Sequence, residues 1–147
     1  MGRLVWAPGD TVFLDTDAVI YTVERLEPYY QLLLPLWLAA NIGEVQVAGS
    51  ELLLLETMVK PLRQADTNLQ AAFRNLLTNT RFHLIPITRS ILAEAASLRA
   101  NFGLKTPDSI HAASALSEDA AAFLTNDQGH LRARGLRVRL LDRVLAE

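Results

Sequence analysis

The chain has 147 residues, 50% hydrophobic and 20% charged, with seven Gly, six Pro and no Cys. That suits a single domain spanning residues 1–147 and excludes a disordered tail, a linker-like or collagen-like chain, a disulfide scaffold, a thiolate zinc site and cysteine catalysis. The net charge of −2 argues against coating nucleic acid by bulk charge, but it is unevenly spread: residues 1–56 hold eight acids and two bases, a balance of −6, and the remainder carries +4.

The opening MGRLVWAPGD has no apolar run long enough for a signal-peptide core before Pro8 and Gly9, so a cytoplasmic protein is the expectation. TVFL at 11–14 is a β-branched and aromatic run that ends at Asp15, the pattern of a buried strand whose carboxyl end delivers a polar residue. The longest uncharged stretch, PYYQLLLPLWLAANIG at 28–43, falls short of the roughly 20 apolar residues a membrane span needs, and is read as a buried or partner-facing helix. VQVA at 45–48 is a second strand. Ser50 is the expected N-cap of ELLLLETMVKPL, a helix that should end or kink near Pro61.

Asp66 caps a helix through TNLQAAFRNLL. FHLIPI at 82–87 is a third strand, and Thr88 caps RSILAEAASLRANF, stopped by Gly103. Thr106-Pro107 predicts an N-cap followed by Pro at the first helical position, with Asp108 in the first turn. The following SIHAASALSE is rich in small residues, which lets a helix lie close on a sheet. AAFL at 121–124 and RVRLL at 137–141 complete about five strands, with Asp127 as a capping candidate for DQGHLRARG. Strands alternating with helices predict an α/β fold with a mostly parallel sheet covered on both faces, whose ligands sit at the strands' carboxyl ends.

Four acids fall where such a sheet would gather them: Asp15 after the first strand, Glu56 in the helix after the second, Asp108 opening a helix, and Asp127 after the strand AAFL. Asp17 is a possible fifth. Carboxylates brought close repel unless protonated or neutralised by a cation, and hard oxygen donors without Cys select Mg²⁺ or Mn²⁺ over zinc. The implied chemistry is metal-assisted phosphodiester hydrolysis, in which the ion stabilises charge on the phosphate and helps supply hydroxide. Each acid also has a plainer reading: a turn former for Asp15, an exposed helix residue for Glu56, a first-turn dipole partner for Asp108, a cap for Asp127. Glu51 reads as an ordinary first-turn acid. His111, one turn after Asp108, reads as a packed or surface residue that could touch substrate. His83 reads as structural, and His130 is open, near the mouth of the proposed site.

FLDTDAVIY (13–21), SELLLLETMVKP (50–61), LKTPDSIHAASAL (104–116) and FLTND (123–127), in this order and at this spacing, resemble the PIN-domain family. Within it they look like the VapC-like toxin ribonucleases of type II toxin–antitoxin pairs. The resemblance implies a three-layer α/β/α sandwich on a parallel five-stranded sheet and an Mg²⁺- or Mn²⁺-dependent endoribonuclease acting on RNA. Its four acids correspond to Asp15, Glu56, Asp108 and Asp127, all catalytic and metal-binding, with Asp15 and Asp108 the main ligands. Thr16 and Thr125 or Asn126 match supporting polar positions, and Asp17 departs from the pattern, since many relatives carry Asn there. It further implies a cytoplasmic homodimer silenced by a small antitoxin, for which the 28–43 segment with Tyr29, Tyr30 and Trp37 is the candidate contact. A plain core helix is the alternative for that segment.

An acidic pocket repels phosphate, so Arg132, Arg134, Arg137, Arg139 and Arg143 are candidates to hold the RNA backbone; a solvated basic face around an edge strand is their alternative. Three other functions compete. One is a standalone PIN nuclease in RNA processing, and another an inactive binding module. The third is a haloacid-dehalogenase-like phosphatase, whose D-x-D-x-[TV] opening fits Asp15-Thr16-Asp17-Ala18-Val19. That class also needs a suitably placed Lys and a late acidic pair; Lys60 and Lys105 are poorly placed and the pair is missing.

Overall fold

The structure is a computed structural model that describes residues 2–147. Its centre is a five-stranded sheet in which every pairing is parallel: β1 (Thr11–Leu14), β2 (Gln46–Ser50), β3 (His83–Ile85), β4 (Ala122–Thr125) and β5 (Val138–Leu140), in the order β3-β2-β1-β4-β5. All five expected strands form, with ends shifted by a few residues. The chain builds outward from β1 to β3 on one side and then crosses to β4 on the other. The strand order therefore reverses between β1 and β4, the place where open parallel sheets bind ligands.

Successive strand residues point to opposite faces, so TVFL splits its side chains between two cores. Val12 and Leu14 join Val47, Leu53, Phe73 and Leu77 beneath α1 (Thr16–Val23), α2 (Tyr29–Asn41) and α5 (Thr67–Thr78). Phe13 faces the other way and stacks on Phe123 at a centroid distance of 5.6 Å, under α6 (Arg89–Phe102) and α7 (Thr106–Ser117). Ala112, Ala113 and Ala115 let α7 lie close on this face, as its small residues predict. Helices cover both faces, so the expected α/β/α sandwich stands.

Local signals decide most helix ends. Asp66 accepts from the Leu69 N–H and Thr88 from the Ile91 N–H, each capping its helix as expected. Gly103 ends α6 at φ +70, a left-handed conformation that favours glycine. Three expectations shift. Ser50 is the last residue of β2 and Glu51 stands at the N-cap position, although Ser50 Oγ still accepts the Leu52 N–H at 3.0 Å. The helix after Ser50 breaks at Thr57-Met58 into α3 (Leu52–Glu56) and α4 (Val59–Arg63), and Pro61 sits inside α4 rather than ending it. Proline is tolerated there because the first turn of a helix leaves its N–H groups without intrahelical partners. Thr106 is not an N-cap but the first residue of α7, after Lys105. Its hydroxyl accepts from Arg99 Nη1 at 2.6 Å, while Arg99 Nε donates to the Leu104 carbonyl at 3.1 Å. One guanidinium thus ties the end of α6 to the turn that launches Asp108.

The 28–43 segment is largely a core helix: Leu32, Leu33, Leu36, Ala39 and Ala40 are buried, while Leu34, Leu38 and Ile42 remain exposed. No helix among the described residues is long and apolar enough to cross a membrane. The short α8 (Leu141–Ala146) closes the chain, and its Asp142 N–H donates to the Asn126 side chain at 2.8 Å.

Candidate active site

The carboxyl ends of β1 and β4 carry the first two groups. Asp15 follows β1 directly and is 7% exposed. Its Oδ1 accepts the Thr16 N–H at 2.8 Å, so it also caps α1; its Oδ2 accepts the Thr125 hydroxyl at 2.7 Å and lies 3.0 Å from His130 Nε2. Burial opposes the Asp15 charge, but the donors His130 and Thr125 and the neighbouring His111 outweigh it and hold the carboxyl at about 2.

Asp17, in the first turn of α1, stitches the two strand ends together. It accepts the Ala18 N–H at 2.7 Å and, from across the sheet, the Asn126 N–H at 2.7 Å. Burial first, and then the charge of Asp15, push it up to about 6 against these backbone donors. The extra carboxylate therefore has its own partners, in the loop after β4.

Glu56, at the end of α3, is held by two side chains from different elements. The Thr16 hydroxyl donates to its Oε1 at 2.8 Å, and His111 Nε2 of α7 lies 2.5 Å from the same oxygen. Despite burial, these contacts lower its pKa, the His111 hydrogen bond most of all. Asp108 enters from the first turn of α7 and accepts no hydrogen bond among the described residues. Burial raises its pKa, with the charges of Asp127 and Asp15 adding to the rise and His130 opposing it. Asp127 accepts the Gly129 N–H at 2.8 Å and so caps the short 3₁₀ turn Gln128–Arg132, as expected, while its own N–H donates to Thr125.

The structure brings all four acids to one end of the sheet. Asp108 and Asp127 each offer an oxygen within 4.8 Å of one another and of a His130 nitrogen; His130 Nε2 also reaches to 3.6 Å from Asp108. Glu56 joins them through Thr16 and His111. Thr16 and Thr125 donate to Glu56 and Asp15, as supporting positions should, whereas Asn126 reaches only Asp17 among the acids of the site, through its backbone N–H. Both histidines are more central than their sequence reading. His111 and His130 are 1% and 0% exposed and bond to Glu56 and Asp15 respectively, so His130 lies in the floor and not at a mouth. His83 is exposed and outside the site. For His111 the available signal was its spacing of one helical turn from Asp108; for His130 there was none, because its partner is 115 residues away.

Among the described residues, no Lys or Arg pairs with Asp15, Asp17, Glu56, Asp108 or Asp127; the nitrogen partners within reach are the two histidine rings. Carboxylates crowded without lysine or arginine, two of them with raised pKa, fit a hard divalent cation held by oxygen. The arginines divide. Arg137 donates to the Ala120 carbonyl at the opposite end of β4, and Arg139 reaches Glu147 at 3.5 Å. Arg132, the last residue of the 3₁₀ turn, and Arg134, just past it, are exposed.

A parallel sheet whose switch point gathers acids from four separate elements defines an α/β/α protein with a candidate metal pocket. A sequence model of the PIN domain matches residues 12–136, and the chain belongs to that family. PIN domains are in general nucleases. The D-T-D opening is accordingly that of a PIN domain and not of a dehalogenase-like phosphatase. The fold is similar to that of VapBC2 from Rickettsia felis, solved bound to a promoter DNA fragment (20% identity, 88% of this chain, 98% of that chain, TM-score 0.71). It is also similar to a toxin–antitoxin complex from Klebsiella pneumoniae (21%, 85% and 94%, 0.64) and to FitAcB from Neisseria gonorrhoeae (20%, 86% and 95%, 0.62). No curated protein gives a significant sequence match.

Proposed function

We propose that this chain is a divalent-metal-dependent endoribonuclease, the toxin of a type II toxin–antitoxin pair. The observation that carries the reading is the convergence of Asp15, Glu56, Asp108 and Asp127, from the end of β1, α3, α7 and the loop after β4, with no lysine or arginine among the described residues to neutralise them. Asp15 and Asp108 are the main metal ligands in this proposal, and Glu56 and Asp127 complete the pocket. Mg²⁺ or Mn²⁺, when bound, supplies charge stabilisation on the scissile phosphate and acidifies water for attack. The residues of the chain do the rest. Asp15, held ionised by its donors, presents a fixed negative charge; Glu56, anchored through Oε1 by Thr16 and His111, keeps Oε2 as the acceptor for a proton from the attacking water. Arg132 and Arg134 hold the RNA backbone beside the pocket.

The antitoxin reading draws support from similar folds solved as toxin–antitoxin complexes. The exposed Leu34 and Leu38 of α2 and Ile42 just after it are the surface proposed for that partner. A single domain over residues 1–147, a homodimer and a cytoplasmic location complete the proposal. Expression of the chain alone and together with its genomic neighbour tests it. Growth arrest with Mg²⁺-dependent RNA cleavage, relieved by the neighbour and abolished by Asp15→Asn or Asp108→Asn, is the expected result. Cleavage without relief favours a standalone processing nuclease, and the absence of both toxicity and cleavage refutes the enzymatic reading.

A further inference from the structure

Resting on the metal-dependent reading above, we infer that His130 is a positioning residue: its Nε2–H holds the Asp15 carboxylate, and its ring stays outside the coordination of the ion. The location alone suggests otherwise. His130 is fully buried, its Nε2 lies 3.0 Å from Asp15 Oδ2 and 3.6 Å from Asp108 Oδ1, and it falls within the cluster of donor atoms that Asp108 and Asp127 form. A nitrogen ligand in that position would soften the site and shift its preference away from Mg²⁺.

The other ring nitrogen decides between the two roles. A histidine that ligates through Nε2 must carry its proton on Nδ1, and ligating histidines almost always donate that N–H to an oxygen. His130 Nδ1 is buried and has no hydrogen-bond partner, with the ring tilted against Phe123 at a centroid distance of 4.7 Å. A proton on Nδ1 alone would be stranded among apolar atoms while the Nε2 lone pair faced a carboxylate. In the neutral ring the proton therefore sits on Nε2, and in the charged ring Nε2 carries one as well. Either way a donor faces Asp15.

The consequence falls on Asp15. Its Oδ2 receives two donors, His130 and the Thr125 hydroxyl, while Oδ1 receives only the Thr16 N–H. His130 thus occupies one oxygen of the carboxylate and leaves the other with a free lone pair. With Asp108 accepting no hydrogen bond among the described residues, the unencumbered donors on this side of the pocket are oxygens alone. The site is an all-oxygen one, suited to Mg²⁺ or Mn²⁺, with its geometry set by a histidine behind the ligands.

Two measurements test this. Long-range ¹H–¹⁵N spectra of the wild-type chain, metal-free and Mg²⁺-saturated, should both show His130 protonated at Nε2; an Nδ1–H tautomer in the metal-free spectrum removes the bond to Asp15, and its appearance on adding Mg²⁺ makes His130 a ligand. Mn²⁺ titration by calorimetry should show His130→Phe, which keeps the packing on Phe123, weakened by about 10- to 100-fold, the range for lost outer-shell partners. His130→Gln, which can still donate to Asp15, should recover most of that loss. Wild-type affinity in His130→Phe overturns the positioning role. If the wild type itself binds neither ion, the metal reading fails alone, and the metal-free spectrum still decides whether Nε2–H holds Asp15. If His130→Phe does not fold, the spectra and the Gln variant carry the decision.

Discussion

Replacing Asp15 with Asn tests whether the carboxylate that closes β1 supports the fold as well as the site. Its pKa of about 2, against 3.8 for an unperturbed Asp, means that the folded state favours the ionised form. That difference corresponds to roughly 2 kcal/mol of stability at neutral pH. Since the folded value is depressed, the contribution is present above pH 3.8 and is lost as pH falls toward 2. Asparagine cannot satisfy the same neighbours. With its NH₂ at the Oδ2 position it opposes His130 Nε2–H, and with its carbonyl there the NH₂ opposes the Thr16 N–H. Removing the charge also relieves Asp17, but the lift on Asp17 comes from burial first and from Asp15 second, so relief only partly offsets the loss. The expected net effect at pH 7 without metal is about 1–2 kcal/mol of destabilisation, or roughly 2–8 °C in Tm for a chain of this size. Urea unfolding in EDTA from pH 7 down to pH 3 measures it, and the gap should narrow at the acid end. An Asp15→Asn variant as stable as wild type at pH 7, or more so, would refute the reasoning and make carboxylate repulsion the dominant force in the empty pocket.

Asp17 behaves in the opposite sense. Its folded pKa of about 6 lies above 3.8, so stability is greatest below the unfolded value and declines as pH rises through about 6, by roughly 3 kcal/mol in total. Urea midpoints of the metal-free chain should fall between pH 4 and 7, the fall should flatten in Asp17→Asn, and Mg²⁺ should restore part of it. Gly49→Ala places a methyl 2.5 Å from Leu53 Cδ1 and 2.8 Å from the Phe82 ring, beneath the helix that ends at Glu56. It should cost about 1–3 kcal/mol by thermal melt, since the buried Leu53 and Phe82 side chains must move to make room, and lower cleavage to the extent that this disturbs α3. Arg132→Ala and Arg134→Ala should each weaken RNA binding about equally for all sequences and reduce the salt slope by roughly one, whereas Arg137→Ala, whose side chain is engaged at the far end of β4, should leave both unchanged.

Signals that act within a few residues are readable in the sequence. The period-two split of TVFL, the caps Asp66 and Thr88, Gly103 as a stop, and small residues on the α7 face are local physics, and each holds. The break at Thr57-Met58 and the capture of Thr106 by Arg99 were not readable, because tertiary partners decided them. The four acids were legible as a set because strand ends and a helix start are the positions a parallel sheet brings together. The histidines were not, since a lone His in sequence shows neither its burial nor its partner.

The sequence by itself thus determined the layered architecture, the gathering of Asp15, Glu56, Asp108 and Asp127 at the carboxyl end of the sheet, and the surplus of acid in the first 56 residues. Only the tertiary structure decided which groups share a proton or a hydrogen bond there. It bonded Asp17 to the backbone of Asn126, set His111 on Glu56 and His130 on Asp15, and drew Arg137 and Arg139 away from the other arginines. The physical reason is range. Periodicity and capping are encoded over a few residues, whereas protonation and hydrogen bonding depend on atoms within about 3 Å, contributed by segments that the fold brings together from across the chain.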